Sequence, residues 1–216
     1  MTGAILGLNA FHGDASACII VDGQIVAAAE EERFRRIKHW AGFPSESIRY
    51  CLAEAGLRLA DVKHVAVNSD PRASLFSKVA YVLRTRPDPR LLFQRFRNAE
   101  RRLSTGRLLE AADLGGVFSG QVHRIEHHEA HLASAFYASG WDEALALSVD
   151  GFGDFASAAW GVWTVSHNPV QGRVPFPHSL GVFYQAMTQY LGFPSYGDEF
   201  KVMGLSGYAN GNVDPS

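Results

Sequence analysis

Short apolar runs separated by polar and glycine-rich positions dominate the start of the chain, and this pattern predicts strands. Residues 4–10 form an apolar run bounded by glycine, which is typical of a buried strand. Two further β-rich runs lie on either side of Asp22 and Gly23, and Asp-Gly between such runs is a strong hairpin signal. The pattern predicts a strand, a polar loop, a second strand, a tight turn and a third strand.

Helical spacing follows directly after this predicted hairpin. Ile48, Leu52 and Ala55 repeat on one face of a helix. Ser45 is the expected N-cap, and Gly56 is expected to close the C-terminus. The later segments predict strands at 62–70 and 121–127 and helices at 75–83, 91–103 and 129–139.

A second unit with the opening pattern starts near residue 144. Residues 144–165 again form an apolar strand, a short Asp/Gly loop and another apolar strand. A repeated unit with helices between its copies indicates an α/β protein of two related halves. We expect a first subdomain at 1–142, an incomplete second subdomain at 143–216, and a ligand between the halves, where the two loops face each other.

Composition narrows the classes of function. The chain is 47% hydrophobic with a formal net charge of -2, which predicts a globular core and no general attraction to nucleic acid or membranes. The N-terminus has no basic segment before an apolar stretch, so we expect a cytoplasmic protein. Cys18 and Cys51 lie in apolar runs and are expected in the core. The sequence contains no Cys-x-x-Cys pair, so a zinc knuckle is not expected.

One basic segment stands out against this balance. Residues 72–107 hold ten Lys and Arg against only Asp88 and Glu100. A solvated helical surface is the ordinary interpretation of such a run. The alternative is a docking face for an anionic ligand or an acidic partner domain.

Four of the nine histidines lie between residues 123 and 131. His127 and His131 are four residues apart at the start of a predicted helix, so both imidazoles leave the same face one turn apart. Two ligands of one metal ion need this spacing, although surface histidines also produce it. His123 and His128 point elsewhere and are interpreted as structural or as outer partners of the site.

The segment SVDGFGD offers a third ligand, because Asp150 follows a buried strand where a carboxylate needs a cation or hydrogen-bond donors. Gly151 and Gly153 allow close approach of the backbone, and their N–H groups could contact phosphate. A simple turn with a capping aspartate is the alternative. Two histidines and one carboxylate suit iron(II), manganese or zinc.

Three further residues are candidates for chemistry. His12 lies in the loop between the first strands and could act as a general base, or it could simply pack on Phe11. Lys38 precedes a Gly-Phe-Pro turn that could bind substrate. Lys201 could meet a phosphate, and on a strand it would share one face with Glu199.

Three motifs together resemble one family. The segments NAFHGDASACIIVDGQIVAAAEEERFRRIKHWAGFP, HHEAHLASAFYASGWDEALALSVDGFGD and SLGVFYQAMTQYLGF…YGDEFKVMGLSGYA are similar to the N-terminal part of the O-carbamoyltransferases that decorate nodulation factors and antibiotics. The resemblance implies an actin/sugar-kinase/heat-shock-ATPase-like (ribonuclease H-like) fold, with the first half complete and the second half truncated. It also implies a relation to the metal-dependent tRNA threonylcarbamoyl-transfer enzymes.

The resemblance further implies roles for single residues. His127, His131 and Asp150 would be metal ligands, and the metal, iron(II) or another divalent ion, would bind the phosphate of a carbamoyl-adenylate. His12 would take the proton from the acceptor hydroxyl, while Lys38 and Lys201 match motif positions. Carbamoyl phosphate would supply the carbamoyl group, ATP would convert it to the carbamoyl-adenylate, and a sugar-like or antibiotic-like small molecule would accept it.

Family members are longer, so the resemblance implies a C-terminal region, in cis or in trans, that supplies a further aspartate ligand and makes the carbamoyl-adenylate. This chain alone is therefore expected to be inactive. Two other hypotheses stay open: a phosphotransferase or ATPase of the same superfamily, and a non-catalytic interaction module. Phosphoryl-transfer enzymes hold Mg²⁺ through carboxylates and phosphates, so the histidine pair argues against the first.

Overall fold

The computed structural model describes residues 3–85 and 105–208. The described residues form two sheets with helices on their faces. The strands are β1 (Ala4–Asn9), β2 (Ser16–Val21), β3 (Gln24–Glu30), β4 (Val62–Val67), β5 (Gln121–Arg124), β6 (Glu143–Gly153), β7 (Ala156–Thr164) and β8 (Gly172–Pro175). The helices are α1 (Glu32–Arg35), α2 (Ser45–Glu54), α3 (Leu75–Thr85), α4 (Thr105–Ala111), α5 (His127–Ser139), α6 (Leu180–Tyr190) and α7 (Glu199–Ser206), with a 3-10 turn at Leu59–Asp61.

The first sheet has the strand order β3-β2-β1-β4-β5. β2 runs antiparallel to β1 and β3, whereas β1, β4 and β5 pair in parallel. This order, with β2 as the antiparallel member, is that of ribonuclease H-like folds, so the predicted α/β fold is confirmed. The predicted tight turn is also present, because Asp22 (φ 50) and Gly23 (φ 83) adopt the left-handed backbone that a two-residue hairpin requires.

The core of the first unit lies between one face of this sheet and α2. Leu6, Ile19, Ile48 and Val65 are each 0% exposed within it. Cys51 is also fully buried, as predicted, but Cys18 is only partly buried. Cys18 is on the other side of β2, where a cavity opens, so its predicted place in the core is wrong.

The predicted helix at 45–55 is present, but its cap differs from the prediction. Ser45 is the first helical residue and forms no side-chain cap. The buried carboxylate of Glu31 instead accepts hydrogen bonds from the backbone N–H groups of Glu46 (3.2 Å) and Ser47 (2.8 Å). A carboxylate from a neighbouring segment therefore satisfies the free amides of the first turn. Gly56 closes the helix with φ +63, as predicted.

The histidine-bearing helix α5 begins two residues earlier than predicted. Glu126 is its N-cap, and the carboxylate accepts a hydrogen bond from Glu129 N–H at 3.1 Å. Because this cap precedes His127, the helix starts there, and the preceding strand ends at Arg124 rather than at residue 127. Gly140 ends the helix in the left-handed conformation, as predicted.

The second sheet has the order β6-β7-β8, with all pairs antiparallel. The predicted Asp/Gly loop is smaller than expected, because β6 continues to Gly153 and only Asp154 and Phe155 form the turn, both with positive φ. Val149 pairs with Ala158 and Gly153 with Ala156, so β6 carries a bulge between those two residues. The candidate residues Asp150 and Gly151 lie in this bulge.

The other predicted elements have mixed outcomes. The helix predicted at 75–83 is present as α3, whereas the one predicted at 91–103 lies outside the described residues. Glu199 and Lys201, which would share one face on a strand, instead lie on α7, where residues two apart leave different faces. The second sheet begins at Glu143, and the division at 142/143 into two subdomains stays a prediction. Among the described residues, the helices are too short or too polar to cross a bilayer.

Candidate functional site

Three predicted ligands converge between the two sheets. His127 Nε2 lies 2.7 Å from Asp150 Oδ2 and 3.0 Å from His131 Nε2, and His131 Nε2 lies 3.6 Å from Asp150 Oδ2. One ligand atom from each residue is within 4.8 Å of the others. These residues are called the His–His–Asp cluster below.

Local backbone structure explains this convergence. His127 is the first residue of α5 and His131 lies one turn later, so both rings leave one face. The bulge of β6 holds Asp150 opposite them. Gly153 makes room for the His127 ring, because a Cβ at this position would lie 1.9 Å from His127 Cδ2. A Cβ at Gly151 would meet nothing within 4 Å, and Gly151 N–H donates to Asp150 Oδ1 at 2.6 Å.

Asp154 is a structural part of the site that sequence reasoning missed. Its carboxylate accepts hydrogen bonds from His127 N–H (3.0 Å), Asp70 N–H (2.7 Å) and the Ser69 hydroxyl (3.0 Å). It thereby joins the β6–β7 turn to the end of β4 and to the first turn of α5. The signal available in the sequence was a second acid after two glycines, since Asp tolerates the positive φ of a tight turn.

Two neighbouring contacts complete the support around α5. Glu126, besides capping the helix, accepts a hydrogen bond from the Arg173 guanidinium at 3.2 Å. His128 is fully buried and its Nδ1 lies 2.8 Å from Ser148 Oγ. Burial lowers the pKa of His128, which favours its neutral form inside the second unit. His128 thus faces β6 rather than the cluster.

Electrostatics tie Asp150 and His127 together. The hydrogen bonds from His127 and His131 are the main causes that hold the pKa of Asp150 far below its usual range. Burial alone would lower the pKa of His127, but the hydrogen bond and charge of Asp150 outweigh it and raise that pKa. Each group therefore favours the charged form of the other.

The cluster also fits a divalent metal ion. Donors that occupy adjacent positions of an ion with ligand distances of about 2.1 Å lie about 3 Å apart, which is close to the separations found here. His127 Nδ1 is buried and has no hydrogen-bond partner among the described residues, which leaves Nε2 as its functional nitrogen. Two imidazoles and one carboxylate form a donor set for iron(II), manganese or zinc, with positions left open for a ligand.

The remaining predicted site residues lie at different distances from the cluster. The His12 ring centroid is 5.6 Å from that of His127, so His12 borders the cluster. Lys38 is exposed after α1. Lys201 pairs with Asp198 at 2.6 Å and lies near the rings of Phe193 and Phe200. These two lysines have no described contact with the cluster.

A cavity of about 610 Å³ reaches the cluster from the side of the first sheet. Small side chains such as Gly7, Cys18 and Ala28 form its sheet wall, and His127 and His131 lie on its helix wall. The cluster is therefore accessible from this side.

The fold and the cluster define a class: an α/β protein whose two sheets meet at two histidines and one carboxylate. Over residues 4–216 the chain matches the family model described as carbamoyltransferase N-terminus. The chain belongs to this carbamoyltransferase N-terminal family, and the family predicted from its motifs is confirmed.

The chain is similar to individual proteins and to one solved structure. The chain is 37% identical over 213 residues to the protein sll1178 of Synechocystis sp., covering 94% of this chain and 34% of that protein. It is 35% identical over 210 residues to nodulation protein NolNO of Sinorhizobium fredii, covering 94% and 28%. A solved structure of YeaZ from Pseudomonas aeruginosa aligns at 16% identity with a TM-score of 0.41, covering 80% of this chain and 67% of that one. The chain spans about a third of the length of the curated relatives.

Proposed function

We propose that this chain is the acceptor-activating part of an ATP-dependent O-carbamoyltransferase. In the proposed reaction, a hydroxyl oxygen of a small-molecule acceptor attacks the carbamoyl carbon of a carbamoyl-adenylate. The carbon–oxygen bond to the phosphate breaks, AMP leaves, and the hydroxyl proton passes to a base. The observation that carries the proposal is the His–His–Asp cluster at the junction of the two sheets, in a chain of the carbamoyltransferase N-terminal family.

We infer that His127, His131 and Asp150 would hold iron(II) or another divalent ion. Such an ion would neutralise negative charge on the phosphate as AMP leaves. The chain's own contribution is to position the ligands: α5 presents both imidazoles, and the bulge of β6 presents the carboxylate. Asp154 keeps the first turn of α5 fixed against the end of β4.

His12 is the proposed base. Its ring is beside that of His127, on a loop of the first sheet, so an acceptor hydroxyl near the cluster would be within its reach. For the nucleotide we propose contacts from Gly151, which has open space around it, and from Lys201. The role of Gly153 is better supported as space for the His127 ring than as a phosphate contact. Lys38, exposed on its turn, is proposed to meet substrate or the rest of the longer protein.

Synthesis of the carbamoyl-adenylate from carbamoyl phosphate and ATP is proposed for a C-terminal region in cis or in trans. The second sheet supports this proposal. In the first sheet, β4 pairs in parallel with β1 along the edge that β2 does not occupy. In the second sheet, no strand among the described residues pairs along the edge of β6 that β7 does not occupy. Leu145, Leu147 and Val149 of β6 are 51–67% exposed, as expected of a face that further chain covers.

Both cysteines are free thiols, which agrees with the proposed cytoplasmic location.

Metal binding is tested first, by an anaerobic iron(II) titration of this chain in the presence of AMP. We expect one ion per chain, lost in His127→Ala and kept in His167→Ala, which removes an exposed histidine. If His127→Ala binds iron as well as the unchanged chain, the assignment of the ligands is wrong.

Group transfer is tested by mixing the chain with the part of the Synechocystis relative that it does not span, together with iron(II), ATP, radiolabelled carbamoyl phosphate and a panel of hydroxyl acceptors. The proposal expects a labelled product with the unchanged chain and at least about a hundredfold less with His12→Ala, since general bases contribute about 10²–10⁴-fold. Metal binding without any transfer would favour a non-catalytic interaction module.

A further inference from the structure

We propose that Asp14, Glu32 and His39 form a second divalent-cation site, separate from the His–His–Asp cluster. The three residues come from different segments: the loop after β1, the first position of α1, and the turn that follows α1. One ligand atom from each is within 4.8 Å of the others. This inference goes beyond the proposed transfer reaction and does not depend on it.

The contacts bring three donors together around the imidazole. His39 Nδ1 lies 2.8 Å from Asp14 Oδ1, and Glu32 Oε2 accepts a hydrogen bond from His39 N–H at 2.9 Å. Asp14 Oδ1 and His39 Nδ1 are thus at the separation of adjacent ligands of one ion. Both side chains keep access to water, with 50% exposure for Asp14 and 31% for His39, so an ion could reach them.

The charge of the group favours a cation. Two carboxylates and one imidazole carry a net negative charge whether or not the imidazole is protonated. Within residues 3–85 and 105–208, the ion pairs join Asp14 only to His39, and none joins Glu32 to a lysine or arginine. A divalent ion would supply positive charge that no lysine or arginine ion pair supplies to these two carboxylates within the described residues.

The His39 ring is held in place by the segment just before α7. Tyr196 packs edge-on against it, with ring centroids 5.3 Å apart. A Cβ at Gly197 would lie 2.5 Å from His39 Cε1, so the backbone at this position closely approaches the ring. The imidazole therefore keeps Nδ1 directed at Asp14, and a preorganised ligand binds an ion with less loss of conformational freedom.

The donor set indicates which ions fit. Two carboxylates and one imidazole form a harder set than two imidazoles and one carboxylate, so this site should prefer manganese(II), whereas the His–His–Asp cluster should prefer softer ions. Three protein ligands leave further positions for water or for an anionic ligand. The two sites should therefore be separable by metal as well as by mutation.

The test is a manganese(II) titration of this chain followed by electron paramagnetic resonance, in which the six-line signal of free ion reports what is unbound. Asp14→Asn and Glu32→Gln each remove a ligand. Asp22→Asn makes the same chemical change in the exposed turn between β2 and β3 and serves as the matched control. His131→Ala disables the His–His–Asp cluster only. Circular dichroism checks that each variant is folded.

We expect a saturable manganese site that Asp14→Asn and Glu32→Gln each weaken at least about a hundredfold, because even the loss of a ligand's hydrogen-bond partner costs 10–100-fold. The site should persist in Asp22→Asn and His131→Ala. Gly197→Ala, which leaves all three ligands in place but displaces the ring, should weaken it by about tenfold or more. If Asp14→Asn, on its exposed loop, binds manganese like the unchanged chain, or if the only manganese bound is lost with His131→Ala, the second site does not exist.

Discussion

Asp154 offers the sharpest test of how the two sheets are joined. Its carboxylate accepts hydrogen bonds from the buried backbone N–H of His127, from the partly buried N–H of Asp70 and from the Ser69 hydroxyl. Asp154→Ala would leave both N–H groups without this partner, at about 1–3 kcal/mol for the buried group and less for the partly buried one. The free energy of unfolding should therefore fall by about 2–4 kcal/mol. Asp154→Asn keeps one acceptor oxygen and tolerates the positive φ, so its cost should be about half or less.

Urea-induced unfolding followed by circular dichroism measures these differences, and calorimetry should show a fall in Tm of about 2–4 °C per kcal/mol for a chain of this size. Asp142→Ala is the matched control, since Asp142 is an exposed carboxylate just before β6. The order of stability should be control, Asn variant, Ala variant. If Asp154→Ala unfolds at the same urea concentration as Asp142→Ala, the carboxylate does not hold the sheets together and the argument is refuted.

Two further variants test the packing and the cap. Gly153→Ala places a Cβ 1.9 Å from His127 Cδ2, so it should cost about 1–3 kcal/mol of stability and weaken iron(II) binding, while Gly151→Ala, with open space, should change neither. Burial would raise the pKa of Glu31, but hydrogen bonds from Ser47, Arg35 and Glu46 lower it. Its contribution to stability is therefore complete above the unfolded pKa of about 4.3 and is lost as pH falls through the lower folded value. Unfolding measured from pH 6 downward should show a shallower loss in Glu31→Gln, and an unchanged slope would contradict this assignment.

Periodicity predicted much of the fold because its signals are local. The hairpin at Asp22 and Gly23 depends on two neighbouring backbone conformations, and the end of α5 at Gly140 depends on one. The pairing of His127 with His131 follows from the helical repeat alone. The sequence offered Asp150 as a third ligand beside them, and its functional role stays a prediction.

Contacts between distant segments were not predictable in this way. Glu31 caps α2 from a position 16 residues away from Ser47, and nothing in the helical pattern of residues 45–55 requires it. Lys201 lies in a glycine-flanked apolar segment whose spacing suits a strand or a helix, and its ion pair with Asp198 one turn earlier is a contact that a helix makes possible.

Asp154 shows why the second acid of SVDGFGD escaped the sequence argument. Its partners Ser69 and Asp70 lie 85 and 84 residues earlier in the chain, at the end of a parallel strand in the other sheet. A local pattern reports that an aspartate tolerates a tight turn, but not which amides the turn will meet. The bulge in β6 then separates the two acids: Asp150 lies within the strand and faces the histidines, whereas Asp154, in the turn, faces the backbone that carries one of them. One short segment thus supplies both a candidate metal ligand and the support that positions its histidine partner.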